Sequence, residues 1–362
     1  MAVLLELILA ALIISASTPV ESLTLVWPDG PYCAEIDDWL AISINMWNLE
    51  SAEGTAVMTY HVNGTISFTA ELRDLKIEDP ESWVLGYPEV YYGYNPWSLS
   101  GVYGRDNFKL PAKVDELPLT DVIVNYTISK VQKSLPLNFA FDIWLTKEEF
   151  SRQVGPGDVE LMIWLYSDHM SPAGVNYQNI TLPVVLNGQS LDNSWEVWIG
   201  KIYESWLIVT LRSSHPLIGH VKINLNEYLD TVDNMLKGLK ISSITQHYLE
   251  SIHLGSEFGS PFTKNASFAW KLYELTFSLP KPQETTYTIS TTQSPTTTTE
   301  LQTSTSPETR PETQEVASSV EQSSTSPPES QMSMQILFAA LAVAVALAGI
   351  FMVRRAASRR GG

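Results

Sequence analysis

Ala56-Val-Met-Thr-Tyr-His-Val62, Asn63-Gly64, Thr65-Ile-Ser-Phe-Thr-Ala-Glu71: two runs rich in β-branched and aromatic residues meet at Asn-Gly, the dipeptide most typical of a two-residue hairpin. The pattern predicts a type I′ turn with both central residues at positive φ. Val184-Val-Leu186, Asn187-Gly188, Gln189-Ser190 repeats the signal further along. Working outward, strands are expected at Ile123–Ser129, Asn138–Thr146, Val159–Ser167, Trp195–Tyr203, Trp206–Arg212, Tyr248–Leu254 and Ser267–Leu279. In the last, Phe268, Trp270, Leu272 and in part Glu274 alternate with Ala269, Lys271 and Tyr273, as a two-faced sheet requires. Many short strands separated by turn signals define an all-β fold, a β-jelly roll of two packed antiparallel sheets in a concanavalin-like sandwich. One helix interrupts it. Leu225, Leu229, Val232 and Leu236 recur with helical spacing, Asn224 or Asn226 can serve as N-cap, and Gly238 falls just past the end.

The rest of the 362 residues divides around this body. Residues 1–21 carry the apolar run Leu7–Ile14 followed by small polar residues and read as a signal peptide, although the basic n-region is missing and Glu6 stands in its place. Residues 22–280 form the folded domain. Residues 281–333 are dominated by Ser, Thr and Pro, too polar to offset chain entropy, and are expected to be a disordered, O-glycosylatable stalk. Residues 334–353 contain the apolar stretch Ile336–Val353, long enough to cross a bilayer, and 354–362 form a basic tail with Arg354, Arg355, Arg359 and Arg360. Positive charge on the cytoplasmic side puts the body outside the cell, anchored at its surface by the C-terminal helix. Sequons at Asn63, Asn125, Asn179 and Asn265 fit an exported chain.

Charge and cysteine content exclude several functions. There are 22 Lys+Arg against 40 Asp+Glu, a net −18, and the folded part alone has 16 against 31. Phosphate neutralisation needs clustered cations, so no nucleic-acid partner is expected. A single cysteine, Cys33, rules out an intrachain disulfide and any multi-cysteine metal site. Six scattered histidines without ligand spacing leave no reason to expect a metal or any other cofactor. The protein is expected to act as a monomer.

What chemistry remains is set by aromatics and carboxylates. Tryptophans at 47, 83, 97, 144, 164, 195, 198 and 206 and tyrosines at 87, 91, 92 and 94 can fill a core or stack on the C–H faces of sugar rings. In Asp158-Val-Glu160-Leu-Met-Ile-Trp164-Leu, residues 161, 163 and 165 are uniformly aliphatic and must face the core. Glu160, Met162 and Trp164 therefore share the opposite sheet surface. Asp142 lies in a second apolar strand, and Glu257 among glycines at the end of a third.

Glu160-Leu-Met-Ile-Trp164 resembles the nucleophile motif of glycoside hydrolase family 12, the retaining endo-β-1,4-glucanases (cellulases), and Gly255-Ser-Glu257-Phe-Gly259 resembles the acid/base motif of that family. Asn45-Met-Trp47, Tyr87-Pro88 with Tyr92-Gly93, and Phe141-Asp142-Ile-Trp144 match in order, over roughly residues 27–280. The resemblance is to an archaeal-like, membrane-anchored member. It implies Glu160 as nucleophile, Glu257 as general acid/base and Asp142 as the residue orienting Glu160. It also implies sugar contacts from Asn45, Trp47, Tyr92, Trp144, Met162 and Trp164, and a β-glucan substrate cleaved at internal β-1,4 bonds by double displacement. Asn48, where many members carry glycine, departs from the pattern, as does the unpaired Cys33. A non-catalytic cell-surface glycan-binding or adhesion protein on a lectin-like sandwich is the alternative, and a xylanase of related fold the third reading.

Overall fold

The computed structural model describes residues 22–103, 108–130, 132–202 and 205–278. The leader, stalk, apolar span and basic tail lie outside the described residues. Within them the chain forms β1 (Leu23–Trp27), β2 (Cys33–Glu35), β3 (Ala41–Ser43), β4 (Leu49–Tyr60), β5 (Ile66–Ile77), β6 (Glu89–Asn95), β7 (Ser100–Val102), β8 (Ala112–Lys113) and β9 (Asp121–Lys130). There follow β10 (Leu137–Thr146), β11 (Val159–Asp168), β12 (Val175–Leu186), β13 (Gln189–Lys201), β14 (Leu207–Ser213), β15 (Gly219–Asn224), α1 (Leu225–Gly238), β16 (Tyr248–Gly255) and β17 (Asn265–Ser278).

Pairing organises these into two layers. The front layer runs β3-β6-β16-β10-β11-β14-β13-β12, and the back layer β15-β9-β17-β5-β4-β1. A short β12–β15 pairing makes the hydrogen bonding continuous from one layer to the other. One pairing departs from the antiparallel expectation: β11 and β14 are parallel, because the β12–β13 hairpin is inserted between them and returns the chain in its starting direction. Phe139, Phe141, Ile143 and Leu145 of β10 and Leu161, Ile163 and Leu165 of β11 face the interior, where Tyr126 of β9 stacks on Phe139 at 4.1 Å and Trp270 of β17 meets its edge. Burying each such ring contributes roughly 1.5–3 kcal/mol, so strand alternation on both layers, rather than any single contact, holds the sandwich shut.

The two Asn-Gly turns differ. At the second, Asn187 (φ 51°) and Gly188 (φ 80°) are both left-handed, as type I′ demands. At the first only Gly64 (φ 81°) is. Its N–H bonds to His61 O at 2.8 Å and His61 N to Thr65 O at 2.8 Å, a three-residue loop in which Gly64 takes the left-handed bulge position. Asn63 instead turns its side-chain oxygen to Thr65 N and Oγ1. In α1 the cap is Asn224, whose side chain accepts from Glu227 N at 3.0 Å, while the Asn226 side chain accepts from Thr120 N. Gly238 is the last helical residue, and Lys240 (φ 57°) makes the left-handed exit. The helix sinks Leu225, Tyr228, Leu229, Val232 and Leu236 into the main core, with Tyr228 edge-on to Trp195.

Candidate active site

On the face of the front layer turned away from the core, strand register places Glu89 and Tyr91 (β6), Ser251 and His253 (β16), Asp142 and Trp144 (β10), Glu160, Met162 and Trp164 (β11) and Thr210 and Arg212 (β14) side by side. Met162, Trp164 and Trp144 are nearly fully buried yet belong to no part of the main core. They pack under the loops, Met162 and Trp164 with Val84, Met170 and Ile208, and Trp144 with Trp97 and Trp206. Loops therefore close over both margins of this face and make a cleft across the strands.

One margin is built by Asn48. Its amide donates to Asp79 O at 2.9 Å and Val84 O at 2.7 Å and accepts from Asp79 N at 2.7 Å, stapling the segment 79–84 beside the cleft. A glycine at 48 would have no side chain to make these three bonds.

Glu160 emerges from β11 opposite Trp144, and its Oε2 accepts from Trp206 Nε1 at 2.6 Å. Glu257 follows β16, where the chain bends back across the start of β10. Asn138 clamps it three times: Asn138 N donates to Glu257 O (3.0 Å), Glu257 N to Asn138 Oδ1 (2.7 Å), and Asn138 Nδ2 to Glu257 Oε2 (2.5 Å). Both carboxyls thus border β10, near enough for the charge of Glu257 to act on Glu160. Asp142 lies between these levels, takes a hydrogen bond from Trp144, and leaves its buried Oδ1 without a partner among the described residues. Tyr87 Oη donates to Ala140 O at 2.8 Å in their midst.

Low polarity and mutual repulsion govern the electrostatics. Burial, then the charges of Glu160, Glu89 and Glu257, hold Asp142 well above the ordinary carboxyl range. Burial pushes Glu160 up to about 8, against the opposing Trp206 N–H and with a further rise from Glu257. Glu257 is pushed up to about 7 by burial, opposed by Asn138. The Tyr87 phenol is raised too, by burial first and then by all four neighbouring carboxyls. A cluster that resists full ionisation is suited to proton donation from one member and charge on another.

Behind Asp142, Glu89 accepts from Asn45 Nδ2 at 2.9 Å and meets His253 Nδ1 at 2.7 Å. His253 Nε2 contacts Ser251 Oγ at 2.9 Å, and Tyr91 stacks on the imidazole at 5.2 Å. Asn45 is thereby fixed at the cleft, and Trp47 two residues on is half exposed. Tyr92 is not in the site. It is buried in the main core against Phe108 and Phe277, because register puts Tyr91, not Tyr92, on the cleft face. Asn138, Glu89, His253 and the role of Trp206 carry no mark in the sequence that sets them apart as site residues, beyond the parity with Asp142 that alternation gives Asn138 along β10. Among the described residues no group of three or more His, Cys, Asp or Glu is arranged to hold a metal ion.

Beside the cleft, Glu250 is an extra residue in a bulge of β16. Its buried Oε1 accepts from Thr146 Oγ1 (2.8 Å) and Ser151 N (3.2 Å), and burial pushes it up to about 7. A carboxyl raised on folding binds its proton more tightly in the native state. The stability it contributes is complete below its unfolded pKa of about 4.5 and is lost as pH rises through about 7. Asp142, Glu160 and Glu257 act with the same sign. Denaturant unfolding of the domain should show falling stability from pH 5 to 8, and Glu250→Gln should remove about 3 kcal/mol of that fall. An unchanged slope in the variant would contradict the assignment.

A two-layer β-sandwich whose cleft gathers a buried Asp142 and the half-buried Glu160 and Glu257 among tryptophans is the architecture of a glycoside hydrolase. The family model described as glycosyl hydrolase family 12 matches residues 39–279, and the chain belongs to that family. Solved structures agree at the level of the fold. The family 12 xyloglucanase from Bacillus licheniformis superposes with a TM-score of 0.54 at 17% identity, covering 71% of this chain and 99% of that one. The endoglucanase cel12A from Rhodothermus marinus gives 0.52 at 20% identity, covering 72% and 100%. Endoglucanase 3 from Trichoderma harzianum gives 0.51 at 18%, covering 72% and 98%. No curated protein sequence matches the chain significantly.

Proposed function

We propose that the domain is a retaining endo-β-1,4-glucanase, secreted and held at the cell surface by its C-terminal segment. The observation that carries this reading is the clamped pair Glu160 and Glu257, both half-buried, both raised, and each supplied with one N–H donor. A glucan chain lies across the strands, in contact with Asn45 and Trp47, above a floor that Trp144, Met162 and Trp164 support. Glu257 gives its proton to the glycosidic oxygen while Glu160 attacks the anomeric carbon, so that the C–O bond breaks and a glycosyl ester forms. Water then replaces the leaving sugar, Glu257 takes its proton, and the hydroxyl oxygen displaces Glu160 with net retention.

This sequence needs the pair to hold one proton, with the charge on Glu160. Burial raises both carboxyls, so the surroundings of Glu160 must steer the charge to it. A proton kept on Asp142, which burial holds well above the ordinary carboxyl range, removes a negative charge facing Glu160 and so favours the charged form of Glu160. Activity should follow a bell-shaped pH profile whose limbs belong to the pair. A purely glycan-binding protein gives no reason to bury two carboxyls at such levels. The likeness to a xyloglucanase supports testing a branched glucan beside unbranched ones.

Reducing-end release from barley β-glucan, carboxymethyl-cellulose, xyloglucan and xylan, with NMR of the first-formed anomer, tests the reading. The expected result is cleavage of β-1,4-glucans with β product first. Activity on xylan alone, an α first product, or no cleavage would overturn it.

A further inference from the structure

The indole of Trp206 is the group in closest polar contact with Glu160, and it is held there by other tryptophans. It sits ahead of β14, with Ile202 N donating to Trp206 O at 3.0 Å to fix the backbone. Its ring is edge-on to Trp144 (5.8 Å, 69°) on the strand beside Glu160 and to Trp97 (5.4 Å, 62°) from the β6–β7 turn. Trp97 in turn meets Trp144 at 5.3 Å. An indole nitrogen only donates, so it has no interaction to offer a protonated oxygen's hydrogen and binds the carboxylate form better.

Resting on the glucanase reading, we propose that Trp206 is a positioning residue for Glu160: its N–H pins Oε2 and leaves Oε1 turned to the anomeric carbon, and the Trp97–Trp144 pair sets the angle of the indole. The other titratable groups bearing on Glu160 are Asp142 from β10, Glu257 after β16 and Tyr87 ahead of β6, with Glu89 and its partner His253 facing Asp142 from behind. Arg212 on β14 is taken up by Glu196 and by Met170 O. None of these donates a hydrogen bond to Glu160, which the indole engages at 2.6 Å. Loss of the indole donor is therefore not replaced by a neighbouring cation.

The test compares Trp206→Phe, Trp206→Leu and Trp206→His with Trp97→Phe on an aryl β-cellobioside, with Glu160→Gln as control and thermal melts for every variant. Phe and Leu remove the donor, whereas His keeps one. Expected for the donor-free variants is a kcat about tenfold to a hundredfold lower, KM within about twofold of wild type, and an acidic limb of kcat moved to higher pH. Trp206→His should return the limb toward wild type, and Trp97→Phe should leave it in place while lowering kcat less. A limb that does not follow the presence of an N–H at 206, in whichever of these variants melt cooperatively, overturns the proposal. Full activity in Glu160→Gln would instead overturn the glucanase reading beneath it.

Discussion

Glu160→Gln should lower hydrolysis of soluble β-glucan by about 10³-fold or more, because the glycosyl ester cannot form on an amide. Gln keeps an oxygen for the Trp206 N–H, which Glu160 engages at 2.6 Å, and nearly the same volume. The fold should therefore survive, with an unchanged far-UV spectrum and undiminished cello-oligosaccharide affinity. The variant also removes one of the raised carboxyls, so it should be more stable than wild type at pH 8 relative to pH 5. Near-normal turnover with intact folding would remove Glu160 from the reaction.

Glu257→Ala should show a different signature, which is what separates an acid/base from a nucleophile. Polysaccharide hydrolysis should fall by about 10²–10⁴-fold, the range for loss of a positioned proton donor. A 2,4-dinitrophenyl cellobioside, whose leaving group departs without a proton, should still form the glycosyl ester and then stall for want of a base. Azide needs no base, so it attacks the anomeric carbon, displaces the Glu160 carboxylate, and restores turnover with β-cellobiosyl azide as product. The contacts at Asn138 explain why only the proton chemistry should be lost. Two of the three involve the backbone of residue 257 and remain in the alanine variant. Failure of azide to accelerate the variant, or an α-azide product, would contradict the role.

The two layers and the strand of Glu160 were legible because one face of each was chemically uniform. Leu161, Ile163 and Leu165 left Glu160, Met162 and Trp164 no other side to occupy. The same rule failed on β6, where every residue from Glu89 to Asn95 is buried and apolar and aromatic side chains stand on both faces. Nothing local there distinguishes Tyr91 from Tyr92; the pairing of Tyr91 with His253 decides it, and pairing is long-range. Asn138 had the right parity, but its partner Glu257 lies 119 residues away. The Asn63-Gly64 junction signalled a hairpin correctly and its turn type incorrectly, since Gly64 alone can supply the left-handed residue of a three-residue loop. The β15 strand and the parallel β14 pairing were invisible because both depend on long-range partners, β9 for the first and the β11 edge reached after the β12–β13 hairpin for the second.

A covalent bond between Glu160 and sugar can be trapped with 2,4-dinitrophenyl 2-deoxy-2-fluoro-β-cellobioside, whose fluorine slows release of the glycosyl ester, and located by peptide mass spectrometry. The expected result is one fluorocellobiosyl group on Glu160, absent from Glu160→Gln. A label on Glu257 or on any residue outside the cleft would contradict it.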